Sequence, residues 1–140
     1  MDFGFKFMFY KFILCKANDG IYFAPIVFVD DSFFVIGGVS YEITSDNVYR
    51  SESNIIGRLN AQTRKWSRAG QLVSARYGHG AIFDGSSLVV VGGCCGTLKT
   101  EICQISSGEV SCREQTPSLT SYSYYPELYL VNKDFCKTRP

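Results

Sequence analysis

A single histidine, a single tryptophan and four prolines stand among 140 residues, and several of these scarcities remove a class of function. With His79 alone, a histidine-based metal site or a Ser-His-Asp triad would have to be assembled around one imidazole, and nothing nearby supports either. No Cys-x-x-Cys spacing occurs among the six cysteines, so the usual zinc knuckles are absent. A formal net charge of +1 argues against nucleic acid as a partner. No stretch approaches the roughly twenty uninterrupted apolar residues of a membrane helix, so no membrane span is expected. There is also no Asn-x-Ser/Thr glycosylation acceptor. What the chain does have is 46% apolar and 15% aromatic residues, a composition that favours sheet and excludes disorder. A chain of this length buries roughly two-thirds of its unfolded surface, enough for one unit with a real core.

Residues 1–19 form a separate apolar segment. Phe7-Met8-Phe9-Tyr10 and Phe12-Ile13-Leu14 flank Lys11 and precede Cys15-Lys16-Ala17, an order similar to a poor secretory signal cut after Ala17. Asp2 and Lys11 oppose that reading, and the alternative is a β-rich start. Cytoplasmic and secreted locations both stay open.

Written under one another, three later segments share a grammar of strand, polar turn and second strand. Ile26-Val27-Phe28-Val29, Asp30-Asp31-Ser32 and Phe33-Phe34-Val35-Ile36 end in Gly37-Gly38. His79-Gly80-Ala81-Ile82-Phe83, Asp84-Gly85-Ser86-Ser87 and Leu88-Val89-Val90-Val91 end in Gly92-Gly93. Leu128-Tyr129-Leu130-Val131, Asn132-Lys133-Asp134 and Phe135-Cys136 begin the pattern again and stop. From Gly37 to Gly92 the step is 55 residues, and from Val29 to Val131 two steps span 102. Strands three and four of the first unit are expected at Ile55–Asn60 and Lys65–Ser67, and those of the second at Glu101–Ile105 and Glu109–Cys112. A period near fifty made of short strands marks a propeller blade.

These residues resemble the kelch repeat: a hydrophobic strand closed by a glycine pair, and an aromatic residue and a Trp seven apart on the last two strands. Leu59 and Trp66 hold those slots in the first unit, and Ile105 and Cys112 keep the spacing in the second without either aromatic. The resemblance covers residues 20 to 136. It implies an all-β fold, a partial kelch-type β-propeller of four-stranded antiparallel blades at 20–68 and 76–113, with a third begun at 122–140. Gly37, Gly38, Gly92 and Gly93 would serve the crowded bends, and Trp66 would wedge between blades. Propellers close with roughly four to eight blades, so further blades are expected in cis or from another copy, and the chain reads as a piece of a longer protein.

The functional expectation is a non-catalytic protein–protein interaction module with an unknown protein partner, no cofactor and no metal. A remnant without function, or part of a propeller enzyme of galactose-oxidase-like type, are the alternatives, the last short of histidine ligands. Val39–Ser53 reads as a long loop inserted between strands two and three, where Tyr41, Tyr49 and Arg50 are candidate partner contacts. Arg76 and Tyr77, in Arg76-Tyr77-Gly78-His79-Gly80, are further candidates, and His79 is assigned a structural role. Tyr122, Tyr124 and Tyr125 form another aromatic cluster. Gly92-Gly93-Cys94-Cys95-Gly96 is a blade turn, because no helix follows to make a phosphate site. If Ser107-Gly108 is a two-residue turn, Cys103 and Cys112 face each other and a cross-strand disulfide is available; two reduced, buried cysteines are the other reading.

Overall fold

The computed structural model describes residues 21–94, 98–116 and 124–130. Among them every regular element is a strand and there is no helix. In chain order these are β1 (Ile21–Tyr22), β2 (Ile26–Val29), β3 (Ser32–Ile36), β4 (Val39–Ile43), β5 (Val48–Glu52), β6 (Ile55–Asn60), β7 (Trp66–Gln71), β8 (Gly80–Phe83), β9 (Ser87–Val91), β10 (Thr100–Ser106) and β11 (Glu109–Gln115). The apolar start at 1–19, Cys95, Gly96, Tyr122 and the third unit beyond Leu130 lie outside the described residues. Leu128–Leu130 carry no strand, although the sequence grammar places one there.

Eight strands form one sheet in the order β2-β3-β6-β7-β11-β10-β9-β8, and its end strands β2 and β8 approach each other, so the sheet is nearly closed and barrel-like. It is built from two antiparallel meanders of equal design, β2-β3-β6-β7 and β8-β9-β10-β11. Local turn chemistry sets each register. The tightest, Ser107-Gly108 between β10 and β11, has φ of 51° and 80°, the left-handed pair that a two-residue hairpin turn needs to follow strand twist. Between β8 and β9, the Asp84 carboxylate accepts the backbone N–H groups of Ser86 and Ser87 at 2.8 Å each. Between β6 and β7, Asn60 Oδ1 accepts those of Gln62 and Thr63.

Because side chains alternate along a strand, each meander has an inner and an outer face. Val29, Phe34, Ile36, Ile56 and Ala69 from the first meander and Leu72 beyond it meet Leu88, Val90, Cys103 and Val110 from the second in one core. Each fully buried aliphatic there contributes about 1.5–3 kcal/mol. The outer face of the first meander carries a smaller cluster of Ala24, Val35 and Leu59, flanked by Ile21, Ile26 and Phe33. That face is half open: Phe28 is 55% exposed and Trp66 37%. Trp66 therefore does not wedge between the two meanders. It pairs with Leu59 on the outer side, with its ring lying against Gly57.

The segment expected as a loop between strands two and three is a β-ribbon instead. Val39, Tyr41 and Ile43 alternate with polar residues, and Ser45-Asp46 turns the chain so that β4 and β5 pair from Val39↔Glu52 to Ile43↔Val48. Such alternation of β-branched and aromatic residues is a strand signal that the polar composition of the segment masks. β1 adds to β4 and makes a three-stranded sheet.

β7 and β11 join the meanders in parallel through only two residue pairs, Gly70↔Val110 and Gln71↔Ser111. A Cβ on Gly70 would stand 2.0 Å from the Val110 carbonyl oxygen, so this seam admits glycine alone. Gly85 gives the contrast, since it has φ of 97° but nothing within 4 Å of an added Cβ. Gly70→Ala is expected to lose about 3 kcal/mol or more by forced separation of the strands, and Gly85→Ala only about 1–2 kcal/mol from its left-handed backbone; urea denaturation of the two variants checks the order.

Candidate functional site

Three loop segments converge at one end of the sheets, and each carries a residue in the left-handed region: Phe23 (φ 55°), Gly78 (φ 62°) and Tyr125 (φ 50°). Phe23 and Gly78 are 55 residues apart and Phe23 and Tyr125 are 102 apart, the same steps that relate the strand units. The Gly78 N–H donates to the Phe23 carbonyl at 2.9 Å, and the Tyr125 N–H donates to the Gly78 carbonyl at 2.6 Å. A backbone hydrogen-bond relay thus ties these three segments together.

On this relay sits a continuous aromatic surface. The Phe23 ring lies 6.2 Å from Tyr77 and 5.8 Å from Tyr125, the latter edge to face. Arg50 reaches from the ribbon to Tyr77, donating to its hydroxyl at 3.2 Å with the guanidinium carbon 5.4 Å from the ring centroid. Such a contact at an exposed site contributes about 0.5–1 kcal/mol. Glu52 holds the other side of Arg50 at 2.9 Å. Tyr41 is the direct cross-strand neighbour of Arg50 on the same face of the ribbon, and its ring meets Tyr22 edge on at 5.6 Å. Tyr22, Phe23, Tyr41 and Tyr125 are each about half exposed.

Of the residues singled out in the sequence, Tyr41, Arg50 and Tyr77 are brought together here. Tyr49 is not, because it pairs with Glu42 and so faces the other side of the ribbon. Tyr22 and Phe23 escape sequence reasoning; the one available signal is the place of Phe23 at the unit step from Tyr125. Arg76, expected at the partner surface, lies beneath it instead. Its side chain is wholly buried and cannot meet a partner.

Arg76 instead forms the underside of the site. Its guanidinium donates to the Glu101 carboxylate at 2.6 Å, to the Lys99 carbonyl at 2.9 Å and to the Gly92 carbonyl at 3.2 Å. Glu101, equally buried, also accepts the N–H groups of Val73 at 2.7 Å and Ser74 at 3.1 Å. Burial pushes the Arg76 guanidinium below its ordinary value, and the charge and hydrogen bond of Glu101 pull it back up. The Arg76 backbone crosses to the first meander: its carbonyl accepts from Gly38 at 2.8 Å and its N–H donates to Ser53 at 3.2 Å. Gly37 and Gly38, with φ of 60° and 102°, and Gly92 and Gly93, with φ of 73° and 99°, occupy the bends around this node. A Cβ on Gly37 would meet the Arg76 carbonyl at 2.8 Å, and one on Gly93 would meet the Tyr77 carbonyl at 2.9 Å.

His79 is packed between these glycines, and neither ring nitrogen has a hydrogen-bond partner among the described residues. Burial first, and then the positive charge of Arg76, lower its pKa to about 3. The folded chain therefore holds His79 neutral.

Cys103 and Cys112 are disulfide-bonded and lie directly opposite one another, as the Ser107-Gly108 turn requires. Ligand atoms of Glu101, Cys103 and Cys112 lie within 4.8 Å of one another. They do not make a metal site as they stand, because the sulfurs are bonded to each other and the Glu101 oxygens are already occupied by Arg76, Val73 and Ser74.

Arg76→Met leaves the Glu101 carboxylate buried without its counter-charge and is expected to cost about 3–5 kcal/mol of stability, measurable by urea denaturation. The His79 effect has a definite sign. Its pKa is about 3 folded and near 6.5 unfolded, so the unfolded chain takes the proton first. Stability then falls by about 1.4 kcal/mol per pH unit as pH drops from about 6 towards 3. Carboxylates titrate in the same range, so the readout is the difference between wild type and His79→Asn, which is expected to have the shallower slope in urea melts from pH 7 to 4.

No family model matches the chain, and no curated protein matches it in sequence. Among solved structures it is similar to one described as "Structure of YjhT", at 18% identity and a TM-score of 0.57, covering 70% of this chain. The likeness is one of fold, propeller-like in kind, and the matched part spans 32% of that chain.

Proposed function

We propose that this chain is a protein-interaction module of the kelch-propeller type, and that its partner docks on the aromatic surface around Arg50 and Tyr77. The observation that carries the reading is the arrangement of that surface. Half-exposed rings from three sequence-distant loops are held in contact over a buried ionic node, so a stiff scaffold presents large amphipathic side chains to the outside. Tyr and Arg are the residue types that concentrate binding energy at interfaces, since they offer much contact area with few rotors to freeze.

Two features support a propeller as the scaffold. The meanders share one strand order and one repeat step, and they pack inner face to inner face as neighbouring blades do. The first meander also leaves Phe28 and Trp66 uncovered on its outer face, the place that a further blade would occupy in a longer chain or an associated copy. The structure it is similar to, roughly twice as long, is compatible with additional blades.

A protein captured by the wild-type chain should be bound at least about 30-fold more weakly by the Arg50→Ala/Tyr77→Ala double variant, the loss of about 2 kcal/mol that defines an interface anchor. Tyr49→Ala, on the far side of the ribbon, should bind as wild type does. Equal affinity of all three chains, measured by titration with that protein, would place the partner elsewhere.

A further inference from the structure

Beyond the two pairs that join them, β7 and β11 part, and an open cleft of about 380 Å³ lies at their junction. Arg68, Leu72, Val73, Ser111 and Cys112 are among the residues lining it. One half of the disulfide therefore borders an open cleft, while the other, Cys103, is wholly buried.

The bridge adds little to the hairpin that it crosses. β10 and β11 pair through seven consecutive residue pairs from Thr100↔Gln115 to Ser106↔Glu109, so the ladder and the turn already close the loop that the disulfide closes. A cross-link stabilises mainly by the chain freedom that it removes, and here that freedom is already small.

We propose that Cys103–Cys112 is a thiol-exchange site, attacked at Cys112 Sγ by a small anionic thiol that enters the β7–β11 cleft. In the first step the incoming thiolate forms a bond to Cys112 Sγ, the Cys103–Cys112 bond breaks, and Cys103 leaves as a thiolate. In the second step another molecule of the same thiol attacks its partner sulfur in the mixed disulfide and releases Cys112 as a thiolate. Two small thiols become one small disulfide, and one protein disulfide becomes two thiols. Access decides the sulfur attacked. Among the described residues Arg68 is the one charged residue lining the cleft, so it favours a thiol bearing a carboxylate or sulfonate. The leaving Cys103 thiolate would be buried within 4.8 Å of the Glu101 carboxylate oxygen, surroundings that disfavour an anion. It therefore returns to Cys112 unless a second thiol intervenes, and the site reads the concentration of thiol. This inference does not depend on the identity of any protein partner.

The experiment uses the full chain as Cys103→Ala, in which Cys112 can retain an adduct. The folded variant is treated with the disulfide of 2-mercaptoethanesulfonate or with cystamine, its cationic counterpart, and adducts are mapped by mass spectrometry. The expected result is modification of Cys112 about five-fold faster or more by the sulfonate reagent, with the preference lost in Cys103→Ala/Arg68→Gln. Cys112 left unmodified while the chain is folded overturns the site, and equal rates for the two reagents overturn its anionic preference. Should Cys103→Ala fail to fold, the wild-type bridge is reduced with 2-mercaptoethanesulfonate across urea concentrations below the unfolding transition. A rate independent of urea supports attack on the native chain, and a rate rising steeply with urea overturns it.

Discussion

The ion pair between Arg76 and Glu101 is the joint on which the loop end of this molecule depends. Two charges with no exposure are tolerable only because nearly every donor and acceptor they carry is used. Arg76 spends its side chain on the second meander, through Glu101, Lys99 and Gly92, and its backbone on the first, through Gly38 and Ser53. Glu101 in turn holds the N–H groups of Val73 and Ser74, at the crossing between the meanders. One residue thus ties together two meanders, the ribbon beside them and the loop that bears Tyr77. Gly37 and Gly93 belong to the same joint, since backbone and the His79 side chain lie where their side chains would be.

What the joint supports is a surface of rings. Tyr77 follows Arg76 directly, so immobilising Arg76 immobilises Tyr77, and Arg50 and Phe23 rest against Tyr77 in turn. These side chains are therefore held by contacts within the chain, and the proposed docking there would lose correspondingly less entropy. His79 shows the cost of the packing beneath: a polar ring is kept neutral, with no hydrogen-bond partner among the described residues, so that two bends can close around it.

The sheets contribute a different kind of asymmetry. The face shared by the two meanders is buried and apolar, whereas the outer face of the first has exposed aromatics and the seam between β7 and β11 is only two pairs long. The seam between β7 and β11 is thus the least-paired junction within the eight-stranded sheet, and there the cleft lies and Cys112 lines its wall.

Much of this was legible in the amino-acid sequence, because turns and alternation are local. Asp30-Asp31, Asp84-Gly85 and Ser107-Gly108 announce their hairpins, and the last of these alone set Cys103 opposite Cys112, since a two-residue turn leaves one register. The repeat step of 55 residues announced two equivalent meanders. Residues that act at a distance were not legible. Nothing in a run of letters says that Arg76 would find Glu101 and turn inward, that Val39–Ser53 would be a paired ribbon carrying Arg50 to Tyr77, or that Trp66 would lie on the outer face. Those outcomes depend on which surfaces meet after the chain has folded back on itself, and side chains far apart in sequence acquire burial, charge partners and solvent only at that stage.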